Sequence, residues 1–533
     1  MKISLSKYRA KGLERIKLLA IHSSIFTSLL AAPAVVTSCS LDETPHEQPS
    51  ATDVYSTTEG CFSALTKIYA SYVISGQSKD GNNDLTSNQG FDFMRGFINL
   101  QEAPTEEMAC KWLSGENIGG LTYMTWDDND PWVADTYYRL YYTIALSNSF
   151  LENTASRGGD EISLYRAEAR FLRALAYSYV LDLFGKGPFV DENTGIGNYV
   201  PAAYTGSQLF AYVEKELKEV ADILPAPQST VYGRVSSAAA WALLSRLYLN
   251  AEVYGAGQHW TDCIAACEKV EAYGFTLEPD YKKLFNADNH LRTNEIIMPL
   301  VIDADNTVTW GATTFIICGG APEGDASAYG AQTGWGNFRL RGEFVALFTD
   351  EGDRRALFTE NSGQYFTGTI TNEKEGYYGC KFTNFNDQGV AASNTASDGA
   401  STDFPLLRLG EVLLTHAEAI IRSGGDQTVA KALLQQVRDR AYGKSLPADD
   451  GEEVTVPTVR DDELTLDYIL AERGRELWWE CQRRTDLVRC GKFTTASRLW
   501  QWKGGTLSGR AVDATRNTYP IPAAEKEANP NLK

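Results

Sequence analysis

Apolar residues recur every three to four positions along much of this chain, the spacing that gathers them on one face of an α-helix. Between Leu164 and Phe184, the residues Leu164, Ala167, Phe171, Leu175 and Leu183 form such a stripe, and Arg166, Glu168, Arg170 and Arg173 fall largely off it. Gly185-Lys186-Gly187-Pro188 supplies a stop. Comparable patterns occupy 206–224, 235–254, 260–273, 406–423, 427–442 and 461–490. Two stretches break the pattern, 75–130 and about 286–405. They are rich in Gly, Asn, Asp, Thr and Trp, with only short β-like runs at Glu295–Ile302 and Thr313–Cys318. Irregular segments this long on a helical scaffold usually carry function. Their Trp112, Trp126, Trp132, Trp310, Trp335 and Phe338 argue for ordered loops, because disordered segments are poor in aromatics.

Some of the helices pair. Residues 238–274 read as helix, glycine turn, helix, and so do 411–442. Small alanines at contact positions and glycine at the turn make both similar to tetratricopeptide units, which bury their apolar faces by stacking on neighbours. The expected fold is mostly α, with tetratricopeptide-like helical repeats and long irregular loop insertions carrying short β segments.

The first 38 residues belong to a different argument. Lys2, Lys7, Arg9, Lys11, Arg15 and Lys17 form a basic head, 18–36 is largely apolar, and Thr37-Ser38 places small side chains before Cys39. This is the layout of a lipoprotein signal peptide, 1–38, with Cys39 acylated after cleavage. The mature domain then spans 39–533 and is held to a membrane by lipid chains, each buried CH₂ contributing ~0.8 kcal/mol. Later in the chain no stretch reaches the ~20 apolar residues of a spanning helix.

Charge narrows the partners. The chain has 49 Lys+Arg and 69 Asp+Glu, and loss of the leader leaves 43 against 68. A surface this acidic repels nucleic acid and anionic head groups, so neither is expected as a partner. Nine cysteines include no C-x-x-C pair; beyond Cys39 they read as small core residues. His259, Cys263 and Cys267 share a helical face, but i to i+8 spans ~12 Å, too far for one ion. No cofactor is expected, apart from room for a loosely bound calcium at Asp127-Asp128-Asn129-Asp130. That run lacks the Gly and distal Glu of an EF-hand and leads into Pro131, which favours a turn or helix cap. Catalytic signatures are missing: no G-x-S-x-G, Walker loop or H-E-x-x-H is present, and the chain is read as not an enzyme. A glycoside hydrolase is the rival from another class, since paired carboxylates are inevitable among so many acids.

In this order, and behind a lipobox, several short motifs make the chain resemble the SusD/RagB family of Bacteroidetes nutrient-binding outer-membrane lipoproteins. They are Leu41-Asp42 with Pro45, Tyr137 to Asn148, Ala167-Glu168-Ala169-Arg170-Phe171-Leu172-Arg173-Ala174 and Leu181-Asp182-Leu183-Phe184-Gly185. Pro405-Leu406-Leu407-Arg408, Ala417-Glu418-Ala419, Glu472-Arg473-Gly474-Arg475-Glu476-Leu477, Arg483-Arg484-Thr485-Asp486-Leu487-Val488-Arg489 and Tyr519-Pro520-Ile521-Pro522 continue the series. The likeness is strongest to starch-binding members, and Trp500-Gln501-Trp502-Lys503-Gly504-Gly505 adds to it. Asp42, Glu43 and Glu47 behind Cys39 resemble the family's outward-sorting signal, which implies the cell surface.

The resemblance implies a glycan site: three aromatics in an arc beside an Asn and an Arg, on loops above the helices. Arg95 has the matching context. Trp112-Leu113-Ser114-Gly115-Glu116-Asn117 repeats the Trp-to-Asn spacing with a two-residue shift that also keeps Glu116; unshifted, Cys110 and Gly115 would take those places. Trp310 stands where starch binders have Tyr, and Trp335 matches directly. The expected ligand-binding residues are therefore Arg95, Trp112, Asn117, Trp310 and Trp335, while the acidic member finds no match in 80–92. The implied function is capture of starch or related α-glucan and its delivery to a SusC-like TonB-dependent transporter. Another glycan, or peptides, is the alternative cargo.

Overall fold

Caps decide where the helices begin. Thr57 accepts the Gly60 amide to open α1, Thr58–Ala70. Asp92 accepts the Arg95 amide to open α2, Phe93–Glu102. Asp130, followed by Pro131 at the first helical position, opens α3, Pro131–Asn153. Helix α4, Asp160–Phe184, ends on Gly185 in the left-handed region at φ 69°. There follow α5 (Gly206–Ala221), α6 (Ser237–Leu249), α7 (Trp260–Glu271), α8 (Ala312–Gly320), α9 (Leu409–Ser423), α10 (Gln427–Ala441), α11 (Leu466–Leu477) and α12 (Arg483–Arg489). This computed structural model describes residues 50–76, 83–85, 91–194, 199–307, 309–360, 365, 367–392, 399–447 and 454–533. The leader 1–38 and Cys39 lie outside the described residues. Residues 50–533 form one compact unit.

The chain is mostly helical, and successive helices pack on one another: α3 on α4, α4 on α5, α5 on α6, α6 on α7, and α9 on α10, with α7 against α9. One large apolar core runs through the molecule, and a smaller one joins Leu413, Leu414, Leu434, Val437 and Ile469 of α9, α10 and α11. The described strands pair only in twos. They are β1 (Ala109–Cys110) with β5 (Phe338–Arg339), β2 (Gly187–Pro188) with β3 (Ala203–Tyr204), β4 (Ile296–Leu300) with β8 (Phe404–Arg408), and β6 (Phe358–Glu360) with β7 (Tyr377–Gly379). Among the described residues no helix is long and apolar enough to cross a membrane.

Three expectations are corrected. Residues 461–490 are not one helix: α11 and α12 are separated at Trp478–Gln482, where Trp479 and Cys481 have φ of 58° and 60°. Buried acids at the end of α2 and in the loop that follows it capture the amides that would have continued the helix. Trp479 donates its amide to the Glu107 carboxylate at 3.0 Å, and Cys481 donates to Glu102 at 2.8 Å. The run Thr313–Cys318 is helical, within α8. Every residue of α8 is buried, and an apolar run buried on all sides has no period to separate helix from strand. On α4, Glu168 and Arg173 are buried although they fall off the apolar stripe. Glu168 receives Arg234 and the Tyr69 hydroxyl (2.5 Å), and Arg173 donates to Glu216 (3.1 Å) and Asn148 (2.7 Å). Long charged side chains here join neighbouring helices instead of facing water.

The same chemistry explains the motifs near the C-terminus. Arg408, at the end of β8, donates to Glu295 (2.9 Å), Glu476 (2.6 Å) and Glu480 (2.6 Å). Glu476 also receives Arg355 at 3.1 Å, and Arg440 joins the same cluster through Glu295 at 3.1 Å. All of these side chains are buried.

Candidate functional site

Pairing of β1 with β5 brings the segment after Cys110 against the one before Phe338. The Lys111 amide extends the pairing by donating to the Asn337 carbonyl at 2.6 Å. Residues 335–337 run back along the end of α8, where their amides satisfy carbonyls that a helix end leaves open. Trp335 donates to Cys318 (2.7 Å), Gly336 to Ala321 (2.8 Å) and Asn337 to Gly319 (2.8 Å). At the other end of α8, Asp92 ties the turn that carries Trp310. Its carboxylate accepts the Thr309 hydroxyl (2.5 Å) while capping α2, and it is packed so tightly that a Cβ on Gly311 would lie 1.7 Å from Asp92 Oδ2. Burial pushes the Asp92 carboxyl up from its ordinary value.

These supports place three indoles in a row. Trp112 and Trp335 stack with centroids 6.3 Å apart and planes 29° from parallel. Trp335 and Trp310 follow at 6.1 Å and 53°, so the row turns along its length. All three rings are half-buried. Trp126 and Trp132, from the same kind of segment, are core residues at 1 % and 0 % exposure.

Arg95 lies beneath the row, 2 % exposed. It donates to the Trp310 carbonyl at 2.7 Å and to both oxygens of Glu116 at 2.6 and 2.7 Å. Phe91 and Phe315 sandwich its guanidinium at 3.8 and 4.5 Å, and burial lowers its pKa. The Trp132 indole N–H fixes the Glu116 carbonyl at 2.7 Å. Asn117 comes next, exposed, with φ 57°, a left-handed conformation that Asn tolerates.

The structure thus brings Arg95, Trp112, Trp310 and Trp335 together, with Asn117 on the adjoining exposed turn. Trp112 supplies the ring in its segment; Cys110 is buried in β1. In 80–92, Asp84 pairs with Lys67 at 2.6 Å and Asp92 is spent on the cap described above. Sequence reasoning missed Asp92, although an acid three residues before Arg95 and ahead of an apolar run is a legible cap signal. It also missed Lys111, Glu323 and Glu373, which meet beside Trp112 and Trp335; nothing in the sequence relates the three. The run Asp127–Asp130 forms a turn and cap: Asp127 accepts the Asn129 amide (2.9 Å), Asp128 pairs with Lys526, and Asp130 caps α3. Burial raises the Asp130 carboxyl to about 6.

Paired helices below and a row of indoles on the loops above define a helical-repeat scaffold with an aromatic platform. The chain belongs to the SusD family. A family model described as "SusD family" matches residues 356–533, and another described as "Starch-binding associating with outer membrane" matches 61–249. The starch-binding protein SusD of Bacteroides thetaiotaomicron is 33 % identical over 520 residues, covering 88 % of this chain and 90 % of the relative. SusD-like protein P2 of Formosa agariphila is 23 % identical, covering 76 % of this chain and 81 % of its own. Among solved structures, a SusD-like carbohydrate-binding protein from Bacteroides fragilis aligns with a TM-score of 0.69 at 19 % identity, covering 90 % of this chain and 100 % of the other. Surface glycan-binding protein A from Bacteroides thetaiotaomicron, in complex with laminarihexaose, aligns with a TM-score of 0.69 at 18 % identity, covering 89 % and 98 %.

Proposed function

We propose that this protein is a cell-surface lipoprotein, acylated at Cys39, that captures starch or a related α-glucan and delivers it to a SusC-like TonB-dependent transporter in the outer membrane. The row Trp112–Trp335–Trp310 carries the reading. A helical glucan presents a curved surface of C–H groups, and a row of rings that turns can follow it. Each ring–sugar contact removes apolar area from water at ~25 cal/mol per Å². Asn117 supplies directional hydrogen bonds, and Arg95 works from below by holding Glu116 and the Trp310 backbone in place. The starch-binding relative supports α-glucan as the cargo, and the neighbour seen with laminarihexaose supports glucans more broadly. The lipoprotein signal and the family membership support the surface location and the transporter.

Binding is favoured over hydrolysis by the state of the nearby acids. Glu116 is held on both oxygens by Arg95, and Glu323 and Glu373 are held by Lys111. The hydrogen bond from Lys111 lowers the Glu323 carboxyl, the opposite of what a general acid needs.

Affinity electrophoresis of the soluble form beginning at residue 40, which contains the whole unit 50–533, tests the proposal. Gels contain amylopectin, dextran, levan, xylan, laminarin or no polymer. Retardation by amylopectin is expected, and its loss in the triple variant Trp112→Ala, Trp310→Ala, Trp335→Ala. Retardation only by another polymer overturns the α-glucan assignment, and reducing-sugar release from polymer overturns the binder. A Kd in the μM–mM range, about −8 to −4 kcal/mol, suits an open platform.

A further inference from the structure

The loop that carries Trp112 is fastened on two sides. On one side, Glu116 is gripped by Arg95, whose side chain is 3 % exposed. On the other, Lys111 reaches across to two carboxylates from separate loops: Glu373 at 2.8 Å and Glu323 in closer contact. The second fastening faces water, with side-chain exposures of 24 % for Lys111, 60 % for Glu323 and 30 % for Glu373.

Each carboxylate is itself tied to the loop that carries Trp335. Gly336, next to Trp335, has φ 58°, and a Cβ there would lie 2.8 Å from Glu373 Oε2 and 3.0 Å from Glu323 Cβ. The loop of Glu323 zips onto the Trp335 segment through the Gly324 amide, which donates to the Gly334 carbonyl at 3.0 Å. The turn of Glu373 is anchored from below by buried Arg339, which donates to the carbonyls of Glu375 and Ile370 at 2.7 Å each. Lys111 therefore lies where three loops meet, one residue before Trp112 and bonded through its amide to Asn337, two residues after Trp335.

We propose that the Lys111–Glu323–Glu373 cluster is an ionic bolt that sets the spacing of Trp112 over Trp335, so that affinity for an uncharged glycan depends on ionic strength. Lys111 is a positioning residue that does not touch the ligand. The inference rests on the row of tryptophans being the glycan platform. Its physical basis is the contrast between the fastenings: salt screens exposed charges, with a Debye length falling from ~30 Å at ~0.01 M to ~3 Å at ~1 M, and screens buried pairs much less. Isolated surface pairs contribute little, whereas one ammonium shared by two anchored carboxylates forms a network with fixed geometry. The sign is diagnostic, because salts excluded from the surface strengthen apolar burial and would tighten stacking.

The experiment combines calorimetric titration of the soluble form with maltoheptaose, at ~0.01 M and ~1 M NaCl, with far-ultraviolet circular dichroism of the free protein. Indoles at this spacing give a coupled exciton signal, and the part of it lost in Trp112→Ala reports the Trp112–Trp335 geometry without ligand, separate from the Trp478–Trp479 pair at 5.1 Å. For the wild type, affinity is expected to fall several-fold at high salt and the exciton signal to change with it. Lys111→Met should show the weakened, salt-independent affinity and the altered spectrum at both ionic strengths, and Lys111→Arg should restore the wild-type behaviour. Glu323→Gln, at a mostly exposed position, is the second variant and should weaken the salt response. Salt-independent affinity and spectrum in the wild type, or a Lys111→Met protein identical to it, overturns the bolt. If maltoheptaose does not bind at any salt, the α-glucan reading fails, and the spectra of the free proteins still decide the bolt.

Discussion

Trp335 has an indole on either side, at 6.3 and 6.1 Å, and that position sets its weight. Removing an end ring shortens the platform; removing the middle one breaks it. Trp335→Ala is therefore expected to lower maltoheptaose affinity by about tenfold or more, ~1.4 kcal/mol, and to exceed the effect of Trp112→Ala or Trp310→Ala in calorimetry. Composition cannot separate these rings from Trp126 and Trp132, which come from similar segments. The difference lies in what packs on them: Tyr519 lies 4.7 Å from Trp126, and Phe91 stacks on Trp132 at 5.5 Å. That Trp112, Trp310 and Trp335 would stand together was legible through motif order. The burial of Arg95 was not, because it depends on Phe91, Phe315 and Glu116 converging from different segments.

At the scale of elements, helix periodicity was legible where one face meets water, as at 206–224 and 427–442, which became α5 and α10. It failed where burial is complete, in α8, and where distant acids override local preference, between α11 and α12. Several motifs near the C-terminus prove to be ends of elements locked by charge. Arg408 of β8 holds Glu295, Glu476 and Glu480 together. Arg408→Met removes the one cation that touches all three, leaving Arg355 and Arg440 on Glu476 and Glu295 and Lys381 on Glu480 to balance a buried site one positive charge short. It is expected to destabilise the protein by ~3–5 kcal/mol, read as a lower urea midpoint with little change in slope.

The whole molecule has an acid side and an alkaline side to its stability. Burial alone would raise the carboxyls of Glu106, Glu418 and Glu476, but facing guanidinium groups (Arg483 and Arg498, Arg489, and Arg440 with Arg408, respectively) bring all three down to about 2. Their folded pKa values lie below the unfolded value of 4.5, so their contribution is present above about 4.5 and is lost as pH falls toward 2. Burial and the charge of Glu106 push Glu107 the other way, to about 7, in contact with Glu102, which is raised as well. A carboxyl whose folded pKa is raised contributes fully below its unfolded value, and the contribution is lost as pH rises through about 7. The Tm is expected to peak between these limits. Glu107→Gln, a neutral mimic that still accepts the Trp479 amide, should flatten the decline that this carboxyl causes between its unfolded value of 4.5 and about 7 in calorimetric scans.

By itself the sequence determined the helical class, the paired helices and the candidate rings, since these rest on local period, local composition and motif order. Only the tertiary structure decided which rings form a platform, which charges are interior and which loops meet at Lys111. Those outcomes depend on contacts between segments hundreds of residues apart, and no local pattern encodes the distance between Trp112 and Trp335.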